Sequence, residues 1–331
     1  MFRAIYLTKS DDGKTEANLK NLDVSDLPNF DRSGVTVAIK YSTINYKDGL
    51  AITGKAPVVR KFPMVPGIDF CGTVSASDDP NWKIGDEVIL NGWGVGESYW
   101  GGLAQMARVS GDWLIRKPAS LTAKDCMSIG TAGYTAMLCI MALEKNGVKP
   151  QAGEILVTGA SGGVGSFAIS LLSNLGYQVI ASTGKDGEHY YLKGLGAKDV
   201  ISRASLSEPG KPLQKERWAG VIDSVGSFTL ANACASSIYG GVVASCGLAQ
   251  GMDLPLSVAP FILRSVSLIG VDSVVAKRSI RDAAWKRLAS DTPPAALNSI
   301  AQLVNLESAI DAGKKILTGE VRGRIVVDVN V

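Results

Sequence analysis

Ile155-Leu156-Val157-Thr158-Gly159-Ala160-Ser161-Gly162-Gly163-Val164-Gly165 reads as a strand, a tight turn and a helix start. The apolar run Ile155–Val157 leads into Thr158, four glycines fall between positions 159 and 165, and Ser166-Phe167-Ala168-Ile169 opens an apolar helix. Glycines belong there for two reasons. A turn feeding straight into a helix needs φ > 0 at some positions, and side chains would hold the backbone amides away from a pyrophosphate. Aligned as Ala160-x-Gly162-x-x-Gly165, the stretch is a one-substitution form of the dinucleotide-binding fingerprint. A glycine-rich turn without a ligand has the same local outline, so the neighbouring strands must decide.

Downstream, strand and helix patterns alternate. Strand Ile155–Thr158 is followed by helix Gly165–Leu175, strand Gln178–Ser182, helix Gly187–Leu195 and strand Asp199–Ser202. After a polar insert come strand Gly220–Asp223, helix Phe228–Ile238 and strand Gly241–Cys246. This alternation predicts an α/β fold with a doubly wound parallel sheet of the Rossmann kind, whose ligands bind beyond the C-terminal strand ends. The positions so marked are Ser161–Val164, Thr183–Lys185, Arg203, Asp223–Gly226 and Gly247–Leu248. Past Arg264 the pattern is mixed: strand Ser267–Gly270, helices Ile280–Ala289 and Glu307–Gly313, and a final strand Gly323–Val329. Upstream, residues 1 to about 120 carry short strand signals, such as the alternating Gly34–Lys40, separated by Gly, Pro and Asp. Thr122 and Asp125 form a capping-box pattern, and a helix is expected over Ala123–Glu144, interrupted at Gly130–Gly133.

Composition narrows the function. A chain of 331 residues is long for one core and predicts two domains. A net charge of +3 gives no footprint for nucleic acid or an anionic membrane. The longest wholly apolar run, Met137–Leu143, falls short of the ~20 residues that span a bilayer. Met1–Leu7 reads as a first strand rather than a secretory signal, and a cytoplasmic location is expected. Five scattered cysteines, none in C-x-x-C spacing, and the single His189 argue against a zinc site, and no metal is expected.

The second strand ends in Ser182-Thr183-Gly184-Lys185, where an NAD-binding chain places Asp or Glu for the ribose hydroxyls. Two hydroxyls and a lysine suit a 2′-phosphate instead. Arg203 ends the third strand beside them. Charge-assisted bonds to phosphate contribute ~1.5–3 kcal/mol each, enough to set a preference for NADPH.

Several further stretches carry a family resemblance. Asn45-Tyr46-Lys47-Asp48, Pro66–Val74, Gly85-Asp86-Glu87-Val88, Gly130–Ala136 and Thr158–Gly165 resemble, in order and spacing, the zinc-independent medium-chain dehydrogenase/reductases of the quinone oxidoreductase branch. Asn45–Lys55, Gly92–Gly96, Trp100-Gly101-Gly102, Gly111-Asp112-Trp113, Met137–Glu144 and Pro260–Arg264 narrow this to the NADPH-dependent acryloyl-CoA reductase subgroup. Gly67-Ile68-Asp69 stands where zinc enzymes of the superfamily have a G-H-E ligand sequence. The resemblance implies a mainly-β GroES-like catalytic domain (1–122, with a return over 266–331) and a Rossmann NADPH-binding domain (123–265). It further implies a homodimer, an active site in the cleft between the domains, and reduction of acryloyl-CoA to propionyl-CoA. NADPH contacts carried over by resemblance are Tyr46, Thr131, Ser161, Gly162, Gly163, Val164, Thr183, Gly184, Lys185, Arg203, Leu248, Ile262, Ser273 and Gly319.

Conjugate hydride addition needs no metal, only polar groups that meet charge developing on the thioester oxygen and a proton for the α-carbon. Asn45, Tyr46 and Asp48 are the catalytic candidates, with Tyr46 as proton donor or ribose contact and Asp48 as an orienting group. Asn45 and Asp48 equally suit the cap of a short helix. Trp93, Tyr99 and Trp100 sit in a glycine-rich loop suited to an acyl wall or to a core. Lys55, Arg60, Lys61 and Arg264 are cations available to CoA phosphates. Two other readings share these features: a quinone or general enal/enone reductase, and a binding protein that keeps the NADPH fold without chemistry.

Overall fold

The computed structural model describes residues 1–30 and 33–331. In chain order the elements are β1 (Phe2–Lys9), β2 (Thr15–Leu22), β3 (Gly34–Ile44), α1 (Tyr46–Thr53), β4 (Asp69–Ser77), β5 (Glu87–Asn91), β6 (Met106–Ser110) and β7 (Ile115–Arg116). There follow α2 (Ala123–Lys145), β8 (Glu154–Val157), α3 (Gly163–Asn174), β9 (Gln178–Thr183), α4 (His189–Gly194), β10 (Asp199–Ser202), β11 (Trp218–Asp223), α5 (Ser227–Ala235) and β12 (Ser237–Ser245). The chain ends with α6 (Ala259–Arg264), β13 (Ser267–Gly270), α7 (Arg278–Asp291), α8 (Pro294–Ile300), β14 (Ala301–Asn305), α9 (Ala309–Leu317) and β15 (Arg324–Asp328). Two compact units result. One comprises Met1–Thr131, Ser273–Asp282 and Ala301–Val331; the other comprises Ala132–Asp272 and Ala283–Ile300.

The first unit is built on a seven-stranded sheet in the order β14-β15-β3-β4-β5-β7, with β6 also paired to β3, and carries the antiparallel β1–β2 hairpin. Strand β3 is its spine, pairing antiparallel with β4, β6 and β15. Val35, Val37, Ile39, Phe70, Val74, Val88, Leu90, Ile325 and Val327 pack into one core cluster around it. Helix α1 follows β3 after one residue and ends at Gly54, whose φ of 65° is the left-handed stop that glycine supplies cheaply. It packs on α9. Gly49 permits the close approach, since a Cβ there would stand 2.6 Å from the Gly313 carbonyl oxygen.

The second unit holds six parallel strands in the order β10-β9-β8-β11-β12-β13. Ile155–Val157 in β8 and all of β11 are buried, as continuous apolar runs become when helices cover both faces of a sheet. The order reverses direction between β8 and β11. There α3 begins, so the glycine turn lies at the switch point of the sheet.

Two expected boundaries shift. Helix α2 runs through Ala123–Lys145 but breaks at Gly130 (φ 49°, ψ −158°), and the division between units falls at Thr131/Ala132 rather than after 122. The arm before the break belongs to the first unit because its polar groups are used there: the Thr131 amide donates to Asp69 (2.6 Å) and the Ser128 carbonyl accepts from Arg324 (3.4 Å). Downstream, β13 pairs with β12 and stays in the parallel sheet, so the return begins at Ser273 rather than 266, and Ala283–Ile300 again belongs to the second unit. Helix α8 and strand β14 have no counterpart in the sequence patterns. Helix α2 is long and apolar enough by length and composition to cross a bilayer, but 83% of its apolar window is buried inside the protein, as in a core helix.

Candidate active site

At the head of α1 the first unit buries a polar cluster. Asp48 accepts the Asn45 amide at 2.8 Å, the Gly67 and Ile68 amides at 3.1 and 3.0 Å, and Asn45 Nδ2 at 3.2 Å. Asn45 Nδ2 also donates to Thr43 Oγ1 at 3.0 Å and reaches Asp69, while Asn45 Oδ1 accepts from Arg324 Nη1 at 2.8 Å. Arg324 Nη2 donates to Thr43 Oγ1 at 3.0 Å and lies 3.8 Å from Asp69 Oδ2. Thr43 Oγ1 in turn donates to Asp69. Asp48, Asp69 and Arg324 are at most 3% exposed.

Burial, and secondarily the charge of Asp69, pushes the Asp48 carboxyl up from 3.8 to about 7, against the pull of its hydrogen bonds. Burial also lowers Arg324 from its usual value, opposed by the two carboxylates.

This geometry sorts the sequence candidates. Asn45 and Asp48, expected as catalytic groups, have their polar atoms committed inward. Together they form the capping box of α1. Tyr46 differs. It is 50% exposed at the first position of α1, and among the described residues its hydroxyl has no hydrogen-bond partner. Thr131 is partly exposed on the other side of Asp69, with its hydroxyl 3.4 Å from Asn91 Nδ2. Gly319 is exposed just past α9, at φ 74°.

The aromatic loop is more internal than a lid. Trp93, at φ 59°, stacks on Trp113 (ring centroids 6.4 Å, planes 8° apart) and carries the Arg281 guanidinium on its ring at 4.6 Å. Trp100 donates to the Pro63 carbonyl at 3.2 Å and meets Tyr6 edge-on. Sequence reasoning missed Arg281, which is fully buried in α7. It donates to the carbonyls of Asn91 (2.7 Å), Ser273 (3.1 Å), Val274 (2.6 Å) and Ala276 (2.9 Å), tying the Trp93 loop to the segment that carries Ser273. Its signal was weak: one arginine in a helix rich in arginines.

In the second unit the predicted dinucleotide residues converge at the strand ends. Ser161, Gly162, Gly163 and Val164 form the turn and first residues of α3. A Cβ on Gly165 would stand 2.5 Å from the Gly159 carbonyl and 2.6 Å from Ala160 Cα, so the turn closes only on glycine. Ser161 Oγ and Thr183 Oγ1 are 3.5 Å apart, and Thr183 Oγ1 accepts the Lys185 amide at 3.2 Å. Arg203 folds over Gly184 so closely that a Cβ there would meet its Nε at 2.3 Å. Amides at a helix start, two hydroxyls and a guanidinium at one corner fit the pyrophosphate and 2′-phosphate of NADPH. Asp186 and Glu188 come one turn later, after the strand end.

Across the switch point, Asp223 accepts Thr158 Oγ1 (2.6 Å) and the Val225 and Gly226 amides (3.2 and 2.8 Å), with burial raising its carboxyl. Leu248 and Ile262 are exposed beyond β12 and on α6. Arg264, expected as a cation for substrate, is instead a brace. It donates to the Ala235, Ser237 and Gln214 carbonyls at 3.0, 3.3 and 2.7 Å and pairs with Glu216 at 3.4 Å. A hydrogen bond to Cys71, then burial, pushes Cys126 well above its usual value, and Cys246 does the same for Cys139. His189 is exposed at the start of α4.

Two outcomes follow from these corners. Because the folded protein holds the Asp48 proton more tightly than the unfolded chain does, the contribution of Asp48 to stability falls as pH rises from about 4 to about 7. Asp48→Asn, compared with wild type by chemical denaturation, therefore gains relative stability across that window, at up to about 1.4 kcal/mol per pH unit. The opposite slope would assign Asp48 an ionised native state at acid pH. Arg203→Ala is expected to raise KM for NADPH at least about tenfold while leaving KM for NADH within about twofold, the loss of one charged phosphate contact. Equal effects on both would remove Arg203 from the 2′-phosphate.

Comparison with known proteins places this geometry. The Alcohol dehydrogenase GroES-like domain family matches residues 31–119 and the Zinc-binding dehydrogenase family residues 163–290. The chain is 53% identical to the probable acrylyl-CoA reductase AcuI of Escherichia coli K12, over 98% of this chain and 99% of that protein. It is 48% identical to the acrylyl-CoA reductase AcuI of Ruegeria pomeroyi over the full length of both. The crystal structure of E. coli K-12 YhdH with bound NADPH superposes with a TM-score of 0.96 at 52% identity, covering 99% of this chain and all of that one. The residues present do not fit the zinc of the second family's name. Ile68 is apolar and buried, Asp69 is occupied by Thr43, Asn45 and the Thr131 amide, and no group of three His, Cys, Asp or Glu among the described residues is arranged to hold a metal ion. The chain belongs to the medium-chain dehydrogenase/reductase family, within its acrylyl-CoA reductase group.

Proposed function

We propose that this protein reduces the carbon–carbon double bond of acryloyl-CoA to give propionyl-CoA, with NADPH as the reductant and without a metal. The observation that carries the reading is Tyr46. A hydroxyl with no hydrogen-bond partner among the described residues is held at the head of a short helix by a buried polar cluster, in a chain that aligns end to end with proteins named acrylyl-CoA reductases. Bound NADPH supplies the hydride that adds to the β-carbon. The chain's part is to position and to supply a proton. The α3 amides, Ser161, Thr183, Lys185 and Arg203 hold the phosphates. Tyr46 is placed to donate to the thioester oxygen as negative charge gathers there, or to protonate the α-carbon, and Asn45 and Asp48 fix its backbone. One proton and one hydride enter, and the thioester stays intact.

The five cysteines are all free, which suits a reducing cytoplasm. Among the described residues, strand β13 ends the parallel sheet with an unpaired edge, which suits association of two copies.

The test is NADPH oxidation followed side by side with acryloyl-CoA, crotonyl-CoA and 1,4-benzoquinone, for wild type and Tyr46→Phe. Acryloyl-CoA is expected to give the highest kcat/KM, and Tyr46→Phe to lower it about 10²-fold or more. A clear preference for the quinone would make the protein a quinone reductase. No turnover of any of the three would leave it an NADPH-binding protein.

A further inference from the structure

A cleft of about 350 Å³ lies in the first unit between the β1–β2 hairpin and the segment after α1, lined by Lys9, Thr15, Gly54, Lys55 and Phe62 with small apolar residues between. We propose that it holds the nucleotide end of the CoA substrate, an adenosine carrying a 3′-phosphate and a diphosphate. The inference rests on the acryloyl-CoA reading above and adds the place where the part of the substrate remote from the reaction is held.

Local structure brings the groups together. Lys9 and Thr15 are directly paired across the hairpin, so their side chains share one face of it. Gly54 closes α1 against that face, since a Cβ there would stand 2.6 Å from Thr15 Oγ1. Lys55 follows immediately. The Lys9 ammonium lies 5.0 Å from the centre of the Phe62 ring and donates to the Gly13 carbonyl at 2.9 Å, which fixes its place while leaving donors unused. Among the described residues the Lys55 ammonium has no partner. Among the described residues the cleft lining thus includes two lysines and no acidic residue.

Two like charges facing one concave surface repel unless an anion lies between them. A bare inorganic anion would leave the apolar half of the wall, with Ala51, Ala56, Pro57, Val59 and Phe62, facing water. A flat base bearing phosphates uses both halves. The position agrees: α1 runs from Tyr46 to Thr53 and the cleft is lined by Ala51 in its last turn and Gly54 beyond it, so five to eight residues at ~1.5 Å each set it about 8–12 Å along the helix from Tyr46. The nucleotide of CoA is joined to its thioester by a long flexible arm, which such a gap requires.

The experiment compares acryloyl-CoA with acryloyl-pantetheine, which keeps the reacting thioester and lacks the nucleotide, for wild type and the double variant Lys9→Ala/Lys55→Ala. Both lysines are exposed, so the fold should survive. For acryloyl-CoA, kcat/KM should fall about tenfold in the variant, and the loss should shrink in high salt. For acryloyl-pantetheine it should stay within about twofold. Equal losses on both substrates, or none on acryloyl-CoA, would overturn the proposal. Calorimetric titration of NADP-saturated protein with adenosine 3′,5′-bisphosphate and with inorganic phosphate decides the site even if neither thioester is reduced, which would sink only the functional reading. Binding of the bisphosphate that the double variant loses supports the site. No binding, or phosphate bound equally well, overturns it.

Discussion

Arg324 donates from β15 into a buried pocket shared by Thr43, Asn45 and Asp69, and the first unit is arranged around that guanidinium. It joins the last strand of the chain to the end of β3, the head of α1, the start of β4 and the broken turn of α2. Burying one cation with two carboxylates is costly in desolvation, and such a group holds only if every remaining donor and acceptor is satisfied. Here the backbone itself helps to satisfy them, through the Asn45, Gly67, Ile68 and Thr131 amides and the Ser128 carbonyl. The cluster even fixes a residue type at a distance. Gly130 has φ 49°, and a Cβ on it would meet Arg324 Nη2 at 2.3 Å and Asp69 Oδ2 at 2.9 Å.

The functional consequence is rigidity at one point. Tyr46 leaves this cluster half exposed, with its backbone held between Asn45 and Asp48, and its hydroxyl has no hydrogen-bond partner among the described residues. Asp48 near neutrality keeps the net charge of the cluster low, which limits the cost of burying it. In the second unit a similar economy appears in smaller form. Asp223 ties Thr158 at the end of β8 to the amides beyond β11, beside the strand ends and turn that carry Ser161 and Thr183. Both units therefore use a buried carboxylate to organise backbone.

Much of this was legible in the sequence, for physical reasons that can be named. The strand, glycine turn and helix start at 155–165 have a period and a residue type that sterics dictate, and the parallel sheet follows from the alternation after it. The corner of Thr183, Gly184, Lys185 and Arg203 was legible because parallel strands end together. Asn45 and Asp48 were found, but the inward direction of their side chains was not, since Asn-x-x-Asp reads alike in a helix cap and in a catalytic pair. Arg324 and Arg281 were illegible: each acts through carbonyls and side chains brought from remote parts of the chain, and sequence spacing carries no trace of such contacts. Arg264 misled for the same reason, because an arginine that braces three carbonyls looks in sequence like one that waits for phosphate.

In the proposed reaction hydride passes from the nicotinamide of NADPH to the β-carbon of acryloyl-CoA while the α-carbon takes a proton. Mass spectrometry of the product made with NADPH deuterated at both C4 positions, in ordinary water, tests it most directly. Propionyl-CoA carrying one deuterium, located at C3, and none at C2 is the expected product. Product without deuterium, or deuterium at C2, would contradict it.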